Sequence, residues 1–286
     1  MNGGEVERTL QEVADELGVH YMTTYRYVRL GMLPARKVGS TWRVKASDVA
    51  AFRESKHGAP PTSRTKQFDP LRWVARLESR LTAGDANGAW SVLEAALASG
   101  AEVDQLYLEV ISPALVSIGD RWSRGEIDIA DEHRASAVTS RLLGRLGPRF
   151  SRPGRTRGSV VLGASPGDAH GLPVAMVADL VVGEGFEVID LGPDVPSASF
   201  VHAARRAARL IAVGVAVTTP GLDASVMATV DAVHQHVPGV PVVVGGGAVA
   251  DADHAVRLGA DAYASDGRAF VATLDRLRGL GRGEAG

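Results

Sequence analysis

"SVVLGASPGDAHGLPVAMVADLVVGEG", residues 159–185, decides the fold. Its first seven residues are a short apolar run rich in β-branched side chains, the length and composition of a buried strand. Residues 172–185 are an apolar run of helical length that stops at glycines. Strand, loop and helix in that order are the first half of a βα unit. The alternation continues downstream. "FEVIDLG", "LIAVGVAVT", "VPVVVGGG" and "DAYAS" read as strands. "SASFVHAARRAA", "DASVMATVDAVHQHV", "ADHAVRLG" and "GRAFVATLDRLRGL" read as the helices between and after them. Five such units predict a flavodoxin-like, doubly wound, five-stranded parallel sheet over residues 153–286.

The joint between the first strand and helix carries the chemistry. Ligands of such sheets bind at the carboxyl ends of the strands, and there the loop places Asp168, one spacer and His170. A ligating imidazole gives its other N–H to a carboxylate, which fixes its tautomer. The pair therefore reads as a metal ligand with its orienting acid, or as a loop histidine bridged to a neighbouring aspartate. Two further turns end other strands, "GVAVTTPGL" with Thr218 and Thr219, and "VVVGGGAV" with Gly245, Gly246 and Gly247. Glycines let a bulky group approach the backbone closely. Small apolar walls and the lack of a phosphate-binding lysine suit a large flat group with a long tail, anchored by one imidazole.

Upstream, residues 70–152 have helical periodicity throughout. Asp69 before Pro70, and Asp85 one helix later, stand where caps belong. Four helices with short loops predict a small bundle. It contains Trp122 at the end of one helix, nine intervening residues, then Glu132 and His133 near the start of the next, with Asp128 as its cap. Adjacent residues point about 100° apart on a helix, so Glu132 and His133 are a poor chelate but can line one cavity with Trp122. A core tryptophan with a solvated Glu-His pair is the other reading of those residues.

Residues 58–69, "GAPPTSRTKQFD", are polar and rich in Pro, Ser and Thr, a linker composition. Residues 1–57 are different again. "TLQEVADELGV" predicts an amphipathic helix with Thr9 and Glu12 as a capping box and Leu10, Val13, Ala14 and Leu17 as its apolar face. A second helix follows Gly18, with Thr23, Thr24, Arg26, Tyr27 and Arg29 among its expected exposed positions. Then come a hairpin signal at Gly39-Ser40 and a closing helix that Ser47 is placed to cap. Helix, turn, helix and hairpin form the winged helix-turn-helix pattern. Arg36, Lys37 and Arg43 on the wing are suited to backbone phosphates, and Thr23, Thr24, Arg26, Tyr27 and Arg29 to the groove. Charge agrees. Across residues 20–67, ten Lys and Arg stand against Asp48 and Glu54, a balance of +8 in a chain whose formal net charge is −2. The basic block predicts a polyanionic partner, double-stranded DNA, for this segment alone.

The chain has no cysteine, which excludes disulfides, thiolate zinc sites and cysteine-held iron–sulfur clusters. It shows no signal-peptide core and no apolar run of membrane-spanning length, so the expectation is a cytoplasmic protein without a membrane partner.

Asp168-Ala-His170, then Thr218-Thr219-Pro220, then Gly245-Gly246-Gly247 resemble the three landmarks of cobalamin-binding domains: Asp-x-His-x-x-Gly, Ser-x-Leu and Gly-Gly. Pro173 stands where that pattern has its Gly, and Thr218 keeps a hydroxyl where it has Ser. Trp122, nine residues and Glu132-His133 resemble the adenosylcobalamin-capping signature of B12-dependent photoreceptor regulators of the CarH and LitR type. The head resembles the DNA-binding domains of the MerR superfamily, and the order of head, bundle and sheet is also similar. The resemblance implies adenosylcobalamin as cofactor, with His170 as cobalt's lower axial ligand. It also implies a cap of Trp122, Glu132 and His133 over the upper face, a tail hydrogen bond from Thr218, and a repressor whose assembly and DNA affinity change when light breaks the Co–C bond. Light-sensing members often carry a His directly after the Trp. This chain has Ser123, so a second imidazole for the light state would come from elsewhere, with His133 at hand. The expected protein is not an enzyme, and is a dimer or tetramer on its operator. The alternatives are a corrinoid methyl carrier of a methyltransferase system, and a regulator that senses another ligand.

Overall fold

A computed structural model describes residues 7–17, 24, 27–28, 33–38, 41–55 and 68–283. The chain divides into two compact units, residues 1–67 and 68–286, each described by itself.

In the first unit β1 (Glu7–Thr9) leads straight into α1 (Leu10–Leu17). The capping box forms: Glu12 accepts from the Thr9 amide at 2.7 Å, and the Thr9 hydroxyl accepts from the Glu12 amide at 3.3 Å. Strands β2 (Arg36–Val38) and β3 (Thr41–Lys45) make the expected antiparallel wing, and α2 (Ala46–Ser55) follows. That helix opens at Ala46, so Ser47 stands inside it and not at its cap. The sheet has a third member. β1 lies along the other side of β3, Glu7 opposite Lys45 and Thr9 opposite Arg43. Leu10, Val13, Leu33, Val44 and Val49 form the core. The turn at Gly18 and most of the second helix lie outside the described residues.

The second unit begins with the bundle: α3 (Pro70–Thr82), α4 (Ala86–Ala98), α5 (103–123) and α6 (Ile129–Leu146). Asp69 precedes α3 without a side-chain cap bond, whereas Asp85 accepts from the Gly88 amide at 2.8 Å. Asp128 accepts from the Ala130 amide at 2.8 Å, and Asp131 accepts from the Asp128 amide at 3.3 Å, closing a capping box for α6. α5 is composite: Val103–Gln105, a π-helical turn at Leu106–Ile111, then Ser112–Ser123. Pro113 explains the break. It has no N–H to donate and its ring crowds the carbonyl four residues back, so the helix widens one turn earlier.

The sheet is wholly parallel: β4 (Ser159–Ala164), β5 (Glu187–Asp190), β6 (Leu210–Ala216), β7 (Val242–Gly245) and β8 (Ala262–Ala264), in the spatial order β5-β4-β6-β7-β8. Helices α7 (Gly171–Gly183), α8 (Ser197–Arg206), α9 (Asp223–His236), α10 (Ala252–Arg257) and α11 (Gly267–Gly283) connect and follow the strands. Every residue of β4 is buried, as a strand covered on both faces requires. The order reverses between β4 and β6, which makes the crevice at their carboxyl ends the topological switch point. The bundle and this layer share one core: Met176 and Leu180 of α7 join Trp73, Leu81, Tyr107, Ile118 and Leu142.

Candidate functional site

Asp168 lies in the loop after β4 and is fully buried. Six donors converge on its carboxylate. The Thr218 amide donates at 2.5 Å and its hydroxyl at 2.9 Å; the Thr219 amide donates at 3.4 Å and its hydroxyl at 3.1 Å. His170 adds its amide at 3.2 Å and ring Nδ1 at 2.7 Å. Burial alone would raise this carboxyl's pKa, but the amide of Thr218, the ring of His170 and the Thr218 hydroxyl outweigh it and hold the value below the ordinary one. An ionised carboxylate only accepts, so Nδ1 of His170 must carry the ring proton. The lone pair is then on Nε2, on a side chain 60 % exposed at the mouth of the switch-point crevice. The loop itself is braced by Asp194, which accepts from the Gly167 amide at 2.7 Å and donates its own amide to the Asp168 carbonyl at 2.8 Å. Asp194 sits at φ 49°, in the left-handed region that Asp tolerates.

This network fixes how Thr218 can meet a ligand. The protons of the Thr218 and Thr219 hydroxyls go to Asp168, so Thr218 meets a ligand only as an acceptor. The three glycines also part company. A Cβ on Gly245 would lie 2.3 Å from the Ala264 carbonyl oxygen, and one on Gly246 2.4 Å from that of Val217. Those two glycines stand tight against neighbouring backbone, Gly245 against that of β8 and Gly246 against that of the loop after β6. A Cβ on Gly247 would meet nothing within 4 Å, so only this one faces open space. Pro173 is the third residue of α7, where the helix still has no intrahelical use for its missing N–H.

From the bundle, the first turn of α6 supplies Glu132 and His133. Glu132 accepts from the Ser136 hydroxyl at 2.7 Å, and its other oxygen lies 2.7 Å from His133 Nδ1. Burial raises the Glu132 pKa. Hydrogen bonds from His133 and Ser136, with the nearby imidazoles of His133 and His170, more than offset it and hold the group below its ordinary value. Glu132 is thus within electrostatic reach of His170. Trp122 stands one residue before the end of α5 and is 45 % exposed. Ser136, Asp194 and the clasp of both threonines on Asp168 had no signal in the sequence. A cavity of about 450 Å³ lined by Phe150, Leu180, Gly183 and Arg268 lies at the opposite end of α7 from His170 and holds none of these residues.

On the head, the predicted DNA contacts divide. Lys37 is exposed and Arg43 half-buried. Arg36 is exposed but held by Glu7, with Nε and Nη2 at 2.7 and 2.9 Å from the carboxylate oxygens. Thr24 is fully buried, which takes it out of reach of a base edge. Tyr27 turns its ring onto Phe52, with centroids 5.0 Å apart, as part of the core's lining. Thr23, Arg26 and Arg29 lie outside the described residues.

The chemistry of the donor set is specific. Among the described residues no three His, Cys, Asp or Glu side chains gather as a metal chelate. A single oriented imidazole suits a metal that is held within a group supplying its other ligands. Comparison with known proteins agrees. Residues 73–146 and 158–274 each match a family model described as "B12 binding domain", and residues 9–57 match one described as "Helix-turn-helix domain". Trimethylamine corrinoid protein 1 of Methanosarcina acetivorans is 26% identical over 193 residues, covering 66% of this chain and 89% of the relative. The trimethylamine corrinoid protein of Methanosarcina barkeri is 25% identical over 204 residues, 70% of this chain and 94% of that one. Among solved structures, the monomethylamine corrinoid protein of Methanosarcina barkeri superposes with a TM-score of 0.63 at 19% identity, over 72% of this chain and 99% of that one. The chain thus joins B12-binding domains, bundle and sheet, to a helix-turn-helix domain.

Proposed function

We propose that the protein is a DNA-binding transcriptional regulator that holds adenosylcobalamin on His170 and uses it as a light sensor. The observation that carries this reading is the Asp168-fixed imidazole, with Nε2 outward, in a chain that also has a basic winged head. His170 would supply the protein's ligand to cobalt. Asp168 keeps its tautomer, and Thr218 and Thr219 keep Asp168 ionised. Gly247 leaves room for the tail. Trp122 offers a flat apolar surface to the adenosyl group, and Glu132 and His133 offer polar partners for its hydroxyls or amine. When bound, adenosylcobalamin supplies a Co–C bond that visible light breaks. Trp122 and Glu132 would hold the adenosyl group, and an assembly that requires the filled cap would be disfavoured without it. On this reading the chain is not an enzyme; it works in the cytoplasm as a dimer or tetramer on an operator, and represses in the dark.

The relatives' names favour a second reading, a corrinoid carrier in methyl transfer. The head discriminates, because a carrier has no use for it. The test is size-exclusion chromatography and gel retardation with promoter DNA of its own gene, with adenosylcobalamin, before and after green light. A larger, DNA-bound dark form that falls apart on illumination supports the regulator. One unchanged oligomer without DNA binding favours the carrier, and DNA binding indifferent to light and cobalamin favours a regulator of another ligand.

A further inference from the structure

The turn after β7 and the loop after β6 are neighbouring walls of the carboxyl-edge groove. Backbone bonds join them at the base. The Val217 amide donates to the Gly245 carbonyl at 2.8 Å and the Ala248 amide to the Val217 carbonyl at 3.0 Å. Further along, a side chain takes over. His254 of α10 is 14 % exposed, and its Nδ1 accepts from the Ala250 amide at 3.2 Å. An amide N–H can only donate, so Nδ1 holds the lone pair and Nε2 the proton. Nε2–H then donates to Asp223 Oδ2 at 3.2 Å. Asp223 opens α9, directly after the loop that follows β6, and Ala250 ends the glycine turn. Asp251 accepts from the His254 amide at 2.7 Å and fixes the turn that carries the ring. His254 therefore clips one wall to the other, and the exposed Gly247 with its open Cβ position lies on the stretch the clip restrains.

We infer that His254 is a positioning residue that sets the width of this groove and so selects corrinoids with a complete lower nucleotide tail over corrinoids that lack it. The inference rests on the cobalamin reading above. It is tested on the full chain in the dark with two probes, adenosylcobalamin and the tail-less adenosylcobinamide. His254→Phe keeps the ring volume and removes both bonds. It is expected to weaken adenosylcobalamin binding about tenfold, the weight of one or two hydrogen bonds, and to leave adenosylcobinamide within about twofold. His254→Asn, whose Oδ1 can accept from the Ala250 amide, should recover most of the loss. Asp223→Ala, at an exposed side chain, should move the same way as His254→Phe and stands in for it if that variant does not fold. An equal fall for both probes, or no change in either, overturns the inference. A wild type that binds both probes equally well, or neither, overturns the reading beneath it.

Discussion

At the scale of single residues the account turns on which nitrogen of His170 carries a proton. Asp168→Asn tests it. An asparagine can donate its amide to Nδ1, which moves the ring proton to Nε2 and blocks the ligating position. Cobalamin affinity should fall about 10- to 100-fold, as it does when the partner of a ligating histidine is removed; absorption titration measures it. His170→Ala should lose the ligation altogether. Acid has a predictable effect as well. The Asp168 pKa is depressed below 3.8, so the stability its donors contribute is complete above that value and is lost as pH falls through the lower folded value. The stability gap between wild type and Asp168→Asn should be flat from neutral pH down to about pH 4 and should shrink only below it. A gap that closes between pH 7 and 5 would contradict the assignment.

At the scale of elements, bundle and sheet are joined by a partly buried pair. Tyr107, fully buried on the π-helical turn of α5, donates to Asp179 of α7 at 2.6 Å. Burial raises the Asp179 pKa, the hydrogen bond from Tyr107 opposes it, and the charge of Asp190 adds to the rise. The sign is opposite to that of Asp168: the fold favours the protonated acid, so this group adds stability as pH falls through its raised value. Tyr107→Phe strands a carboxylate at pH 7 and should cost about 1–3 kcal/mol. Asp179→Asn keeps an acceptor for Tyr107, removes the charge, and should be at least as stable as wild type at pH 7. Urea melts of both variants check the pair; a destabilised Asp179→Asn beside an unaffected Tyr107→Phe would reverse the assignment. Most elements were legible in the sequence because their apolar spacing is strong. β1 was not, since Glu-Arg-Thr is too short and too polar to show a two-residue period, and only its partner β3 makes it a strand. The π-helical turn was hidden because apolar spacing does not register a single widened turn, although Pro113 was in plain view. Asp168 and His170 were legible because they are neighbours in the chain. The threonines that hold Asp168 lie 50 and 51 residues away, and no local pattern reports such a contact. Thr24 and Tyr27 went the other way: helical spacing placed them outside, and the head's small core claims both.

At the scale of the whole molecule the proposed function asks the head to bind DNA and the second unit to bind the cofactor. Arg36, Lys37 and Arg43 are the described cations proposed for phosphate contact, with Arg26 and Arg29 proposed beside them. Each lost contact should lower the slope of log affinity against log salt by about 0.9. Lys37→Ala should show that change. Arg36→Ala should also lower head stability, since Arg36 braces Glu7. Retardation assays across a salt series check both, and an unchanged slope for Lys37→Ala would remove the wing from the interface. The decisive point is whether the imidazole of His170 binds cobalt in a chain that carries a helix-turn-helix head. Electron paramagnetic resonance of the reduced Co(II) cobalamin complex, prepared with protein carrying ¹⁵N-labelled histidine, reads the axial nitrogen directly. The account predicts superhyperfine splitting that changes from the ¹⁴N to the ¹⁵N pattern on labelling and disappears in His170→Ala. Splitting that ignores the label, as from cobalamin's own base, would contradict it.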